Sequence, residues 1–176
     1  MAKDNPPIDL IRKAVVDTGP LFNVLVLNFV GPSQTPPYSG FENALTDYLR
    51  YDFPAQRKLL GLFDSIQEIL ITSHVVGELT GLHNARTKLP LGEFWLSSVK
   101  YLARKKVDER LLRLVEICDS DEGLKSVSEI GPTDSGLINL ARREQCVLLT
   151  DDDKTLARRA WNMGLGDQCK LVRNLL

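Results

Sequence analysis

Ala14-Val15-Val16-Asp17-Thr18-Gly19-Pro20 is the stretch whose reading decides the fold. An apolar, β-branched run without polar alternation marks a strand buried on both faces. Gly19-Pro20 breaks that strand and turns the chain into a helix, so Asp17 stands at the strand's carboxyl end. In open α/β sheets ligands collect in the crevice outside those ends, which makes Asp17 a candidate functional group. Capping the next helix is the other role open to it.

Working outward, Leu21 to Phe29 is apolar nearly all round and predicts a buried helix behind Pro20. Gly31 to Gly40 is rich in proline, glycine and serine and reads as a surface loop. Phe41 to Leu49 and Ala55 to Phe63 are helix-like, with a turn at Asp52-Phe53-Pro54. Glu68 to Thr72 is the second expected strand, followed by a helix with Ser73 as its cap. Leu91 to Arg104 reads as another helix and Leu111 to Cys118 as a third strand. A short helix over Asp121 to Val127, a break at Gly131-Pro132 and a helix from Thr133 to about Arg143 follow. Cys146 to Thr150 is a buried strand ending in Asp151-Asp152-Asp153, then come a helix over Lys154 to Trp161 and a last strand at Lys170 to Val172. Alternating strands and helices predict a three-layer α/β/α fold around a mostly parallel sheet.

The chain has 176 residues, 43% of them hydrophobic, enough for one core: an arm over 1–13 and one domain over 14–176, with a long connecting segment at 31–64. A net charge of −1 excludes a strongly basic protein but leaves room for a local basic patch. Cys118, Cys146 and Cys169 are odd in number and far apart, which suits reduced thiols in the cytoplasm better than disulfides or zinc. No signal peptide is legible near the start, and the run Leu21 to Val30 falls short of the about 20 residues a bilayer requires.

Three further acids fall where parallel topology would bring them to Asp17. Glu78 shares a helical face with Val75 and Leu82, and so tilts toward the packed side. Asp134 opens a helix whose inward stripe is Leu137, Ile138 and Ala141, and either needs a cation or satisfies the helix's own free amides. Of Asp151, Asp152 and Asp153, at least one caps the next helix and at least one is free for another role. Four carboxylates in one crevice would hold raised pKa values unless a hard divalent cation neutralised them. Oxygen-only ligands favour Mg²⁺ or Mn²⁺ over zinc, and such an ion suits phosphodiester hydrolysis.

Four segments together resemble the PIN-domain nucleases: Val15-Val16-Asp17-Thr18-Gly19-Pro20-Leu21, Ser73-His74-Val75-Val76-Gly77-Glu78-Leu79, Gly131-Pro132-Thr133-Asp134-Ser135-Gly136-Leu137 and Val147-Leu148-Leu149-Thr150-Asp151-Asp152. The resemblance runs from about Ala14 to Val172. It implies a PIN-like α/β fold and a metal-dependent endoribonuclease with Asp17, Glu78, Asp134 and Asp152 as catalytic and Mg²⁺- or Mn²⁺-binding residues. The neighbouring acids leave the last register open, so Asp151 or Asp153 could serve instead. Thr18 and Thr150 match positions that support the acidic cluster. The resemblance further implies an RNA substrate and, by family precedent, an inhibitor protein (antitoxin) and a homodimer as partners, with no membrane role. Arg104, Lys105, Lys106, Arg142 and Arg143 are candidate RNA contacts, although cations near helix carboxyl ends also arise for dipole reasons. A different class remains beside it, a silent PIN-like module that binds RNA or a partner protein without cleaving.

Overall fold

The computed structural model describes residues 11–32, 44–50 and 52–176. Most of the arm at 1–13, most of the loop at 31–40 and the start of the helix expected at 41–49 lie outside the described residues. Five parallel strands form one sheet in the order β3-β2-β1-β4-β5. They are β1 (Lys13–Val16), β2 (Glu68–Thr72), β3 (Asp108–Arg110), β4 (Val147–Thr150) and β5 (Cys169–Leu171). β1 is central because Ala14, Val15 and Val16 are fully buried, as its unbroken apolar run requires.

Helices cover both faces. On one lie α1 (Thr18–Val30), α2 (Asp47–Arg50), α3 (Phe53–Ser65), α4 (Ser73–Arg86) and α5 (Leu91–Arg104), with α3, α4 and α5 packed on α1. On the other lie α6 (Leu114–Ile117), α7 (Asp121–Arg143) and α8 (Leu156–Ala160). The near-uniform apolar character of α1 is explained by its place between sheet and helices, where Leu21, Phe22, Val24, Leu25 and Val26 are all buried. Phe94 of α5 closes this layer against Phe22, Phe29 and His83, the last at a ring separation of 4.9 Å. His83 is thus a core residue.

Several expected boundaries move. The third strand is Asp108–Arg110, and the segment read as a strand at Leu111 to Cys118 instead contains α6. β3 is an edge strand paired only with β2, so it needs no apolar run, while Leu111 and Val115 are 74% and 69% exposed. Thr72, not Ser73, holds the cap position of α4, without a side-chain cap bond, because β2 runs directly into the helix. The expected helix at Lys154 to Trp161 is regular only over Leu156–Ala160, and a wide turn at Trp161–Leu165 follows, broken at Gly164 with φ of +80°. Strand β5 begins one residue earlier than expected and ends at Leu171.

The break at Gly131 matters most for the site. Its φ of +85° and ψ of 169° lie in a region that essentially only glycine occupies, and Pro132 follows. The helical turns before it run farther than expected, up to the glycine, and the two arms fold back on each other: Glu122 near the start meets Arg142 near the end at 3.2 Å. Buried Ser126 and Ser135 join hydroxyls across the break at 2.9 Å. Leu137, Ile138 and Ala141 are fully buried, as the stripe predicts.

Candidate functional site

Parallel pairing places the carboxyl ends of β1, β2 and β4 on one edge of the sheet. Asp17 follows β1 there, continuing the ladder by donating its backbone N–H to the Leu149 carbonyl at 2.9 Å. Its two oxygens face different partners. Oδ1 accepts from the Thr18 amide at 2.6 Å, and Oδ2 accepts from the Thr150 hydroxyl at 2.6 Å. Asp17 therefore occupies the cap position of α1 while its second oxygen is held across the sheet by β4.

The two threonines extend this contact into a chain. The Thr18 hydroxyl donates to Glu78 Oε2 at 2.6 Å, tying α4 to the start of α1. Thr150 Oγ1, while donating to Asp17, accepts from the Asp152 amide at 3.0 Å. Glu78, Thr18, Asp17, Thr150 and Asp152 are thus linked in sequence across three strand ends. Both threonines are buried, so each bond is made in a medium where losing it is costly. Glu78 differs from expectation in being an exposed residue, held by one oxygen and not packed.

Asp134 joins the group through charge. Among the described residues its carboxylate accepts no hydrogen bond, so it does not satisfy the amides of its own helix. Burial, followed by the charges of Asp17, Asp152 and Glu78, pushes its carboxyl from 3.8 up to about 7. Asp17 is pushed up to about 6, mainly by burial and also by Glu78 and Asp152, against the lowering effect of its two hydrogen bonds. The charges acting most strongly on both groups are negative. The four acids read from the sequence therefore share one electrostatic environment.

The aspartate triplet divides its roles. Asp152 Oδ1 accepts from the amides of Lys154 and Thr155 at 3.0 and 2.9 Å, so it shapes the turn into α8 while lying within reach of Asp17 and Asp134. Asp151 points elsewhere: Oδ2 accepts from the Tyr48 hydroxyl at 2.7 Å and Oδ1 from the Arg173 amide at 3.3 Å. Asp153 pairs with the Arg173 guanidinium at 2.6 Å. The Tyr48 and Arg173 partnerships, which hold Asp151 and Asp153 away from the cluster, were invisible to sequence reasoning because Tyr48 and Asp151 lie 103 positions apart.

Topology also sorts the basic candidates. Helices α5 and α7 run back against the strands, so their carboxyl ends lie at the opposite edge of the sheet. Lys105 Nζ donates to the Asp64 carbonyl at 3.0 Å, just before β2 begins. Arg104 stacks over the Tyr101 ring at 5.3 Å, and Lys106 follows it out of the helix with φ of +50°. Arg142 binds the Met163 carbonyl at 2.8 Å, and Arg143 pairs with Glu144 at 3.8 Å. These five cations belong to the far edge and to the closure of its loops.

Among the described residues no group of three or more His, Cys, Asp or Glu side chains is arranged to hold a metal ion. The three cysteines are free thiols, and burial together with Asp17 pushes Cys169 up to about 11. No helix among the described residues is long and apolar enough to cross a membrane. Comparison of the chain with protein-family models, curated proteins and solved structures gave no match.

Proposed function

We propose that this chain is a divalent-metal-dependent endoribonuclease whose reaction takes place over Asp17, Glu78, Asp134 and Asp152. The observation that carries the reading is the pair of raised carboxyls, Asp17 and Asp134, facing like charges at a sheet edge. The donor chemistry, hard and oxygen-only, is that of Mg²⁺ or Mn²⁺, and the acids would have to draw together around the ion, since among the described residues no three are already arranged to hold one. Asp17, Asp134, Asp152 and Glu78 would hold the ion, since a carboxylate keeps acceptor sites beyond the donors that Asp17, Asp152 and Glu78 already engage. Such an ion, when bound, polarises a phosphodiester and makes an attacking water more acidic.

The rest of the machinery belongs to the protein. Thr150 and Thr18 hold Asp17 and Glu78 in fixed orientations, and Glu78 is the one of the four acids most open to solvent. Asp17 and Asp134 must be ionised to bind a cation, so protons compete with the ion for these two raised carboxyls and activity should fall on the acid side. Purified protein should cut single-stranded RNA with Mg²⁺ or Mn²⁺, stop on chelation, and lose activity in Asp17→Asn with the fold retained. The resemblance to PIN nucleases points to 5′-phosphate and 3′-hydroxyl ends. Equal cutting by Asp17→Asn would overturn the assignment.

The amide bonds to Asp152 favour a second reading, a module that keeps the acidic cluster and binds RNA without cleaving. RNA binding with no cleavage under any divalent ion would select it.

A further inference from the structure

With the helix-end cations placed at the far edge, the question is which groups near the acidic cluster would hold a nucleic-acid backbone. Two cavities are lined by chain neighbours of Asp152. One, of about 500 Å³, contains Arg50, Arg86 and Arg173, but also Asp47 and Asp151. Arg50 is paired with Asp47 at 3.1 Å and Arg173 with Asp153, so its charge is largely balanced.

The other, of about 340 Å³, is a groove between the first arm of α7 and α8. Lys125, Lys154, Arg158 and Arg159 line it against a single acid, Glu129. Glu129 is taken by Arg159 at 2.8 Å, with Lys125 at 3.9 Å, the loose limit of an ion pair. Lys154 and Arg158 have no carboxylate partner among the described residues, and both are exposed. Ile130, Lys154 and Thr155 are among the residues that line the groove. Ile130 immediately precedes the Gly131 break that delivers Asp134, and Lys154 and Thr155 are the residues whose amides Asp152 binds. Two residues that line the groove are thus hydrogen-bonded to Asp152, which sets the groove beside that carboxylate.

We propose that a single-stranded RNA backbone lies in this groove, its phosphates held by Lys154 and Arg158 with help from Lys125, so that the next phosphodiester reaches the carboxylates. This rests on the nuclease reading for what happens at the cluster, but not for the grip itself. A strand passing from the acids into the groove meets a charge change from negative to positive within Asp152 to Arg158. That gradient would hold the flanking phosphates while leaving the acids for the reacting one.

The test is equilibrium binding of a fluorescent single-stranded oligoribonucleotide to the full chain in chelator, across a salt series, which separates binding from cleavage. The double variant Lys154→Gln/Arg158→Gln removes two phosphate contacts. It should reduce the slope of log K against log salt by about 1.4, or about 25-fold in affinity at 0.1 M salt if affinities converge at 1 M. The far-edge control Arg104→Gln/Lys106→Gln should leave the slope unchanged. Lysine acylation gives a second readout, with RNA protecting Lys154 in the unaltered protein. An unchanged slope in the double variant, an equal loss in the control, or no protection of Lys154 would overturn the proposal even if the enzyme cleaves. A reduced slope and protection without cleavage would uphold the groove and refute the nuclease reading. Failure of RNA to bind, with an acidic peptide binding in its place, would also overturn it.

Discussion

Replacing Asp134 with asparagine should stabilise the metal-free protein at pH 8 while abolishing its activity. Its carboxyl is raised from 3.8 to about 7 in the folded state. An acid with a raised folded pKa opposes folding increasingly as pH rises from its unfolded to its folded value, because only the unfolded state ionises freely in that range. The penalty is absent below the unfolded value near 4, grows as pH rises through 7, and is complete at pH 8. A shift of about 3 units corresponds to a ceiling of about 4 kcal/mol. Asp134 keeps part of its surface in water, and screening reduces this to about 1–2 kcal/mol. The helix dipole favours an acid in a first turn by about 0.3–1 kcal/mol, which the variant gives up. The net gain is about 1 kcal/mol, or about 2–4 °C in Tm for a domain of this size. Denaturant titrations of both proteins at pH 8 and pH 4 measure it. A variant no more stable at pH 8, or equally stabilised at pH 4, would refute the claim that uncompensated negative charge surrounds this residue.

Other consequences follow from the same geometry. Thr150→Val leaves Asp17 Oδ2 without its hydroxyl donor and the Asp152 amide without its acceptor, both bonds made by a fully buried side chain. It should cost about 2–3 kcal/mol by denaturant titration and move the acidic limb of activity upward, since that bond lowers the Asp17 pKa. Gly131→Ala meets no atom within 4 Å, so its cost is backbone strain at φ of +85°, about 1–3 kcal/mol. It should reduce activity further than stability, because Asp134 follows three residues later. Mn²⁺ should raise Tm more at pH 8 than at pH 5, where Asp17 and Asp134 are largely protonated, and differential scanning calorimetry at both values checks the order.

The buried strands were legible because a parallel sheet covered on both faces demands continuous apolar runs. Ala14 to Val16, Glu68 to Thr72 and Val147 to Thr150 supply them with boundaries that differ little from the structure. The edge strand Asp108–Arg110 lacks that demand and has no apolar signal, whereas Leu111 to Cys118 has the signal and lies outside the sheet. Asp17, Glu78, Asp134 and Asp152 could be grouped because strand ends and helix starts are positions that topology alone brings together. The partners of Asp151 and Asp153 could not, since Tyr48 and Arg173 come from remote segments. Nor could the split among the cations: local sequence shows that Lys105 and Lys154 are basic, but only the fold sets Lys105 against the Asp64 carbonyl before β2 and Lys154 against Asp152.

The most direct measurement is a calorimetric titration of Mn²⁺ into the metal-free chain at pH 8, alongside Asp17→Asn and Asp134→Asn. A shared-cation site predicts saturable binding in the unaltered protein, lost or greatly weakened in each variant while circular dichroism shows the fold intact. Binding of equal strength in all three proteins, or no saturable binding in any, would contradict it.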